Sequence, residues 1–316
     1  MSRDAAVPMK ATPPTSRQVR AYFAPVDRNA GAPTVFDAAV NGRFALDAPP
    51  APWVDLGSVS GFARSSATKI EPLLCGSPNT VSSQVRQTLE ATVKLEFQSW
   101  GKLQLALTTG TQQMNLPVTT GAAAATVAVM TGSTATCVQV GASNVGAFAV
   151  GQMVAVDVDY APGTTGFVGS GVSAAYVSAA AAVTIGNDSN YTRRVTLNTG
   201  RVAAIGTDSV TLAEPLIAGA PTPEMAVMPI CGFADREGGN FFQEWSALFV
   251  LDGEQGDRVI FYYPRLQAMQ GATETENSLS KLLMRWNLAG AFRALPVTDA
   301  MDGERVLCFR SYLPAI

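Results

Sequence analysis

From Gln84 to Gln98 polar and apolar residues alternate with a single fault. Val85, Leu89, Ala91, Val93, Leu95 and Phe97 hold odd positions. Gln84, Arg86, Thr88, Glu90, Thr92, Lys94, Glu96 and Gln98 hold the even ones, and Gln87 is the one break in the apolar series. A period of two predicts a strand with one buried face and one wet face. Ordinary strands run about 5–6 residues, so the stretch QVRQTLEATVKLEFQSW predicts an unusually long one, charged along one side.

The flanking sequence predicts further strands. WVDLGSVSGFARSS reads as a strand bent at Gly57 or Gly61, and TKIEPLLCGSPNTVSS as a short strand followed by a turn-rich loop. SWGKLQLALTTG predicts one short helix, Ser99 to Leu107. Farther on, NFFQEWSALFVLDGEQGDRVIFYYPRLQA predicts a hairpin closing around DGEQGD. The segment from Glu276 predicts a strand pair, with Leu282, Met284, Trp286 and Leu288 on one side and Lys281, Arg285 and Asn287 on the other. Between these two regions the style changes. From 117 to 231 there are nine charged residues, six acidic and three basic, and no lysine falls between Lys102 and Lys281. FAVGQMVAVDVDY and RRVTLNTGRVAAIGTDSVTLAEPLI predict strands split by glycine turns. The expected organisation is therefore all-β with one short helix: a discontinuous β-domain over 53–116 and 232–316, interrupted by a small inserted all-β domain over 117–231. Eight of the nineteen prolines precede Val54, so 1–52 reads as an extended N-terminal arm, either floppy or ordered on a neighbouring subunit.

Composition narrows the function. With 47% apolar residues, the 316-residue chain can build a sizeable core, while 15% charged residues is low for a monomer surface. A net charge of −3 offers no basic excess for gripping nucleic acid. Histidine is absent, which removes the commonest general base, the usual nucleophile–base arrangements and the commonest metal ligand. We expect no enzyme activity and no cofactor. Cys75, Cys137, Cys231 and Cys308 have no metal spacing and read as buried thiols in a reducing compartment. No apolar signal segment and no membrane-length apolar run is present, so the expected site of synthesis is a cytoplasm.

The remaining motifs have plain readings. Asp157 and Asp159 share a strand face, which reads as solvated and not as a cation site, because no third ligand is evident. LDGEQGD lacks the order of a calcium loop and reads as a hairpin tip. GFVGSGVSAA (166–175) lacks the Lys-Ser/Thr of a phosphate loop, and Asn190 heads a glycosylation sequon without a use in a cytoplasm. The aromatics of FFQEW and FYYP read as core, although with Glu244 and Glu254 they also allow a carbohydrate-binding or carbohydrate-cleaving protein.

Taken together, the order of features resembles the major tail protein (tail tube protein) of long-tailed bacteriophages. The resemblance rests on PWVDLGSVSGF, the long strand QVRQTLEATVKLEFQSW, the helix GKLQLALTTG and the closing GAFRALPVTDAMDGERVLCF. It covers 53–116 and 232–316 with the arm, and residues 117–231 fall outside it. It implies a tail-tube-type β-sandwich or barrel that assembles as hexameric rings, each subunit adding strands to a ring-closed inner β-barrel. Rings would stack through loops and the N-terminal arm into a virion tail, and double-stranded DNA would pass without specific binding. Tape measure, terminator and distal tail proteins would be further partners, and no membrane is involved. On this resemblance Arg86, Thr88, Glu90, Thr92, Lys94 and Glu96 face the lumen, joined by some of Lys281, Arg285 and Asn287. Another phage ring, decoration or baseplate component is the alternative within the same class.

Overall fold

The computed structural model describes residues 16–26, 32–99, 101–110, 113–118, 126–157, 196–235, 243–269, 273–280 and 283–315. The chain opens with β1 (Ser16–Pro25) and a one-turn helix α1 (Ala38–Asn41), then β2 (Val54–Cys75), β3 (Thr80–Phe97) and α2 (Lys102–Thr109). A middle group follows: β4 (Gln113–Pro117), β5 (Val127–Ala128), β6 (Cys137–Gln139), β7 (Met153–Asp157), β8 (Thr199–Ile205), β9 (Ser209–Leu212) and β10 (Ala226–Asp235). The last group is β11 (Glu244–Gly253), β12 (Arg258–Ala268), β13 (Thr273–Ser280), β14 (Leu283–Ala294), β15 (Val297–Thr298), β16 (Arg305–Val306) and β17 (Phe309–Leu313).

The first and last groups form one body. Antiparallel pairings run β14–β3–β2–β1–β11–β12, and β12 pairs back onto β14 through Leu266 with Ala294 and Ala268 with Phe292, so six strands close a ring of hydrogen bonds. Alternation explains its filling. Phe23, Leu56, Val93, Leu95, Phe97, Phe249, Tyr263 and Phe292 point inward from all six strands, and Leu103, Leu105 and Leu107 of α2 join the same cluster. Each fully buried side chain of this size contributes about 1.5–3 kcal/mol. Helix α2 stops where Gly110 takes a left-handed φ of 62°, its N–H reaching the Ala106 carbonyl at 3.1 Å.

The middle group builds a separate seven-stranded sheet over its own valine-rich core, including Val138, Val154, Val202, Val210 and Val227. Its stem is β4 paired with β10, residues 113–117 with 230–235.

The expectation of an N-terminal arm over 1–52 fails for the described part. β1 lies between β2 and β11, and Ala21, Tyr22, Phe23 and Ala24 are fully buried. Residues 32–53 pack on their own chain: Phe36, Phe44, Leu46 and Trp53 cover the outer faces of Tyr22, Leu248, Ile260 and Tyr262. Tyr22 donates to the Leu46 carbonyl at 2.7 Å and Tyr262 to the Thr34 carbonyl at 2.8 Å; burial raises the pKa of both hydroxyls, that of Tyr262 to about 12. Arg258 completes the tie, donating to the carbonyls of Gly42 and Phe44 with its guanidinium over the Phe44 ring. Isolated aromatics between prolines have no period, so their common target is invisible in one dimension. Residues 1–15 lie outside the described residues.

Two smaller expectations also change. The four cysteines form no disulfide with one another, but Cys75 and Cys231 are exposed and none is fully buried. The stretch TKIEPLLCGSPNTVSS is not a short strand and loop: β2 runs unbroken to Cys75, turns over Gly76–Asn79, and β3 starts at Thr80.

Candidate assembly surface

β2 and β3 are 22 and 18 residues long, and only their body-side halves touch the ring. Residues 65–90 are exposed without exception. They form a two-stranded ribbon reaching about 30 Å past Ala91 at roughly 3.3 Å per residue. A ribbon of two strands is marginal in water on its own. This one is held by its root, where Arg64 donates to the Tyr263 hydroxyl at 3.1 Å and its guanidinium sits 5.1 Å over Phe261.

Bulges decide which residues share a face. Residues directly opposite in an antiparallel pair lie on the same side. Ser60 pairs with Glu96 and Ala63 with Lys94, so Gly61 and Phe62 together face Leu95; Gly61 takes a positive φ of 59° to allow it. A similar bulge at Gly57, φ 79°, lies between the pairs Arg20–Ser58 and Tyr22–Asp55. Both predicted bend points are used. A third irregularity falls on Gln87: Lys69 pairs with Thr88 but Ile70 with Arg86, leaving Gln87 without a counterpart. A fourth leaves out Ser82, between the pairs Leu73–Ser83 and Leu74–Val81.

With these shifts counted, the face continuous with the body core carries Thr68, Leu89, Ile70, Arg86, Pro72, Gln84, Leu74 and Val81. The opposite face carries Ala67, Glu90, Lys69, Thr88, Glu71, Val85, Leu73 and Ser83. The first is an apolar stripe with one charge. Ile70, Leu74, Val81 and Leu89 are 45 to 56% exposed along it, although a soluble ribbon would favour polar residues there. The second is the charged face, with Lys69, Glu71 and Glu90, although Leu73 and Val85 there are also 49 and 46% exposed.

The expected lumen-facing residues separate accordingly. Thr88, Glu90, Thr92, Lys94 and Glu96 share the charged face, with Thr92 and Glu96 half-buried and the others exposed. Arg86 does not join them, because the Gln87 bulge puts it beside Ile70. Arg293, opposite Thr92, does belong there and was not foreseen. Asn287 is half-buried, Arg285 pairs with Asn277 along β13–β14, and Lys281 lies outside the described residues. The whole face, from Lys69 to Glu96 with Arg293, balances three basic groups (Lys69, Lys94, Arg293) against three acidic ones (Glu71, Glu90, Glu96).

A second hairpin points the other way. β14 meets β3 from Leu288 opposite Phe97 to Arg293 opposite Thr92, and its preceding residues pair only with β13. The β13–β14 hairpin therefore leaves the ring at the end opposite the ribbon.

The structure also places the other candidate residues. Glu244 accepts two bonds from Arg265, at 2.9 and 2.7 Å, in a half-buried ion pair. Trp245, Tyr262 and Tyr263 are buried, Phe261 is half-buried and Glu254 is exposed. Glu244→Gln should cost about 1–2 kcal/mol through the weakened pair, seen as a lower urea midpoint with no change in assembly. LDGEQGD is the tight β11–β12 turn, closed by the Gly253 N–H on the Asp257 carbonyl at 2.7 Å. Asp157 is fully buried, contrary to the solvated face expected of it; Asp159, residues 166–175 and Asn190 lie outside the described residues. Among the described residues no cluster of three metal-ligating side chains occurs, and no helix is long and apolar enough to cross a membrane.

A comparison with protein families finds no family model that matches the chain, and a comparison with curated proteins finds no match.

Proposed function

We propose that the chain is a structural subunit that assembles with copies of itself into the tail tube of a long-tailed bacteriophage. The observation that carries this reading is the ribbon: an anchored projection of residues 65–90, exposed throughout, with an apolar stripe on one face and its charges concentrated on the other. Such a surface calls for a partner. The hairpins at opposite ends of the ring suit a head-to-tail contact, because a patch that meets a different patch on the next copy propagates into rings or filaments. The resemblance in PWVDLGSVSGF, QVRQTLEATVKLEFQSW and the closing segment points the same way, with rings and stacked tubes as the product.

On this reading the charged face, with Thr88, Glu90, Thr92, Lys94, Glu96 and Arg293, turns to the bore. A bore that conducts DNA should not hold it, since each neutralised phosphate adds salt-dependent affinity. Three positive and three negative groups make a wall that neither grips nor strongly repels. Electron microscopy of the purified full-length protein tests the proposal. Tubes of uniform diameter are expected, and a persistent monomer at high concentration would count against it, as would isolated rings or trimers, which belong to a terminator or decoration protein.

A further inference from the structure

Between the body and the insert lies a buried polar cluster with no part in the assembly surface. Lys102, the first residue of α2, is 8% exposed and donates to Asn115 Oδ1 of β4 at 2.7 Å. Asp157, at the end of β7, and Asn198, just before β8, are 0 and 1% exposed, and Asn198 Nδ2 donates to Asp157 Oδ2 at 2.8 Å. Each element belongs to a different side of the joint. α2 sits in the body core through Leu103, Leu105 and Leu107, whereas Asn115 and Asp157 belong to strands that flank β10 of the insert. Leu197, next to Asn198, reaches into the body core.

Three physical facts work against a charge on Lys102. It is buried, it stands at the N-terminal end of a helix whose dipole repels cations, and α2 itself (KLQLALTT) carries no other charged residue. One fact favours it, the negative charge of Asp157 across the joint. On the insert side of this cluster Asn198 Oδ1 has no hydrogen-bond partner among the described residues, and a cavity of about 110 Å³, lined by insert residues, runs past Asp157, Asn198 and Thr222. That volume admits water.

We propose that Lys102 is a proton-operated pin between body and insert: without its proton it holds the insert tightly, and with it the joint loosens and hydrates. Burial brings the ammonium down to about 7 from 10.5, with the Asp157 charge opposing the shift. The sign follows from proton counting. An unfolded or opened joint binds the proton up to about pH 10.5 and the closed one only to about pH 7, so closure strengthens as pH rises between these values. From pH 7 to pH 9 the closing constant should rise roughly tenfold to fiftyfold.

The test is hydrogen exchange of the β4 and β7 amides in the full chain, corrected for intrinsic rate, between pH 6 and 9.5, together with thermal melts. Protection should climb across this window in the native protein, stay high and flat in Lys102→Met, and stay low in Lys102→Arg, which keeps its charge. Asp157→Asn, which removes the supporting charge, should move the climb to lower pH. A native profile preserved in Lys102→Met overturns the proposal. If the Met variant does not fold, an unshifted profile in Asp157→Asn does the same.

Discussion

Replacing Ile70, Leu74 and Leu89 together with aspartate is expected to yield a folded protein that forms no tubes. All three lie on the core-continuous face of the ribbon and are 45 to 55% exposed, so the subunit itself loses little when they change. Docked against another copy, each would bury its remaining apolar area for roughly 1–2 kcal/mol, and a charge placed there would add a desolvation cost of several kcal/mol. Assembly repeats the contact at every copy, so even a tenfold loss per contact should abolish long tubes. The control lies on the other face. Lys69→Ala with Glu71→Ala keeps the face neutral and should leave tube length unchanged. The measurement is sedimentation with electron microscopy, and circular dichroism confirms the fold. Tubes of normal length from the triple variant would show that the apolar stripe is not the contact.

Phe23→Ala should destabilise the isolated subunit by about 3–5 kcal/mol, the usual cost of emptying a buried phenylalanine site. Phe23 is fully buried, edge-on to Phe249 at 6.0 Å and tilted against Phe292 at 5.8 Å. It stands on β1, which closes the ring between β2 and β11. Against a typical total of about 5–15 kcal/mol, the loss is large and should appear in the urea midpoint of the monomer. Val35→Ala, at a position 78% exposed, should change it by about 0.5 kcal/mol or less. An N-terminal arm lying on a neighbour would behave the other way, with Phe23→Ala sparing the monomer and weakening assembly.

The sequence by itself determined the β class, the separate group of strands in the middle of the chain, the β11–β12 hairpin, the bends at Gly57 and Gly61, and the short helix. Each rests on a local signal: a period of two, a glycine where the backbone needs positive φ, or a fall in charge between Pro117 and Cys231. It also marked Gln87 as the break in the long alternation. Only the tertiary structure decided what that break does, because a bulge is defined by the partner strand, and the pairings of Lys69 and Ile70 put Arg86 on the apolar face and Arg293 on the charged one. Contacts between residues far apart in the chain set the rest. Phe36, Phe44 and Trp53 find Tyr22 and Tyr262, which turns an apparent arm into a cover. Asp157 is enclosed beside Asn198, which turns an apparent surface carboxylate into a buried one. Periodicity records which side of a strand is apolar. Whether the same subunit covers that side depends on where the ring ends, and at Ala91 it ends with half of β3 still to come.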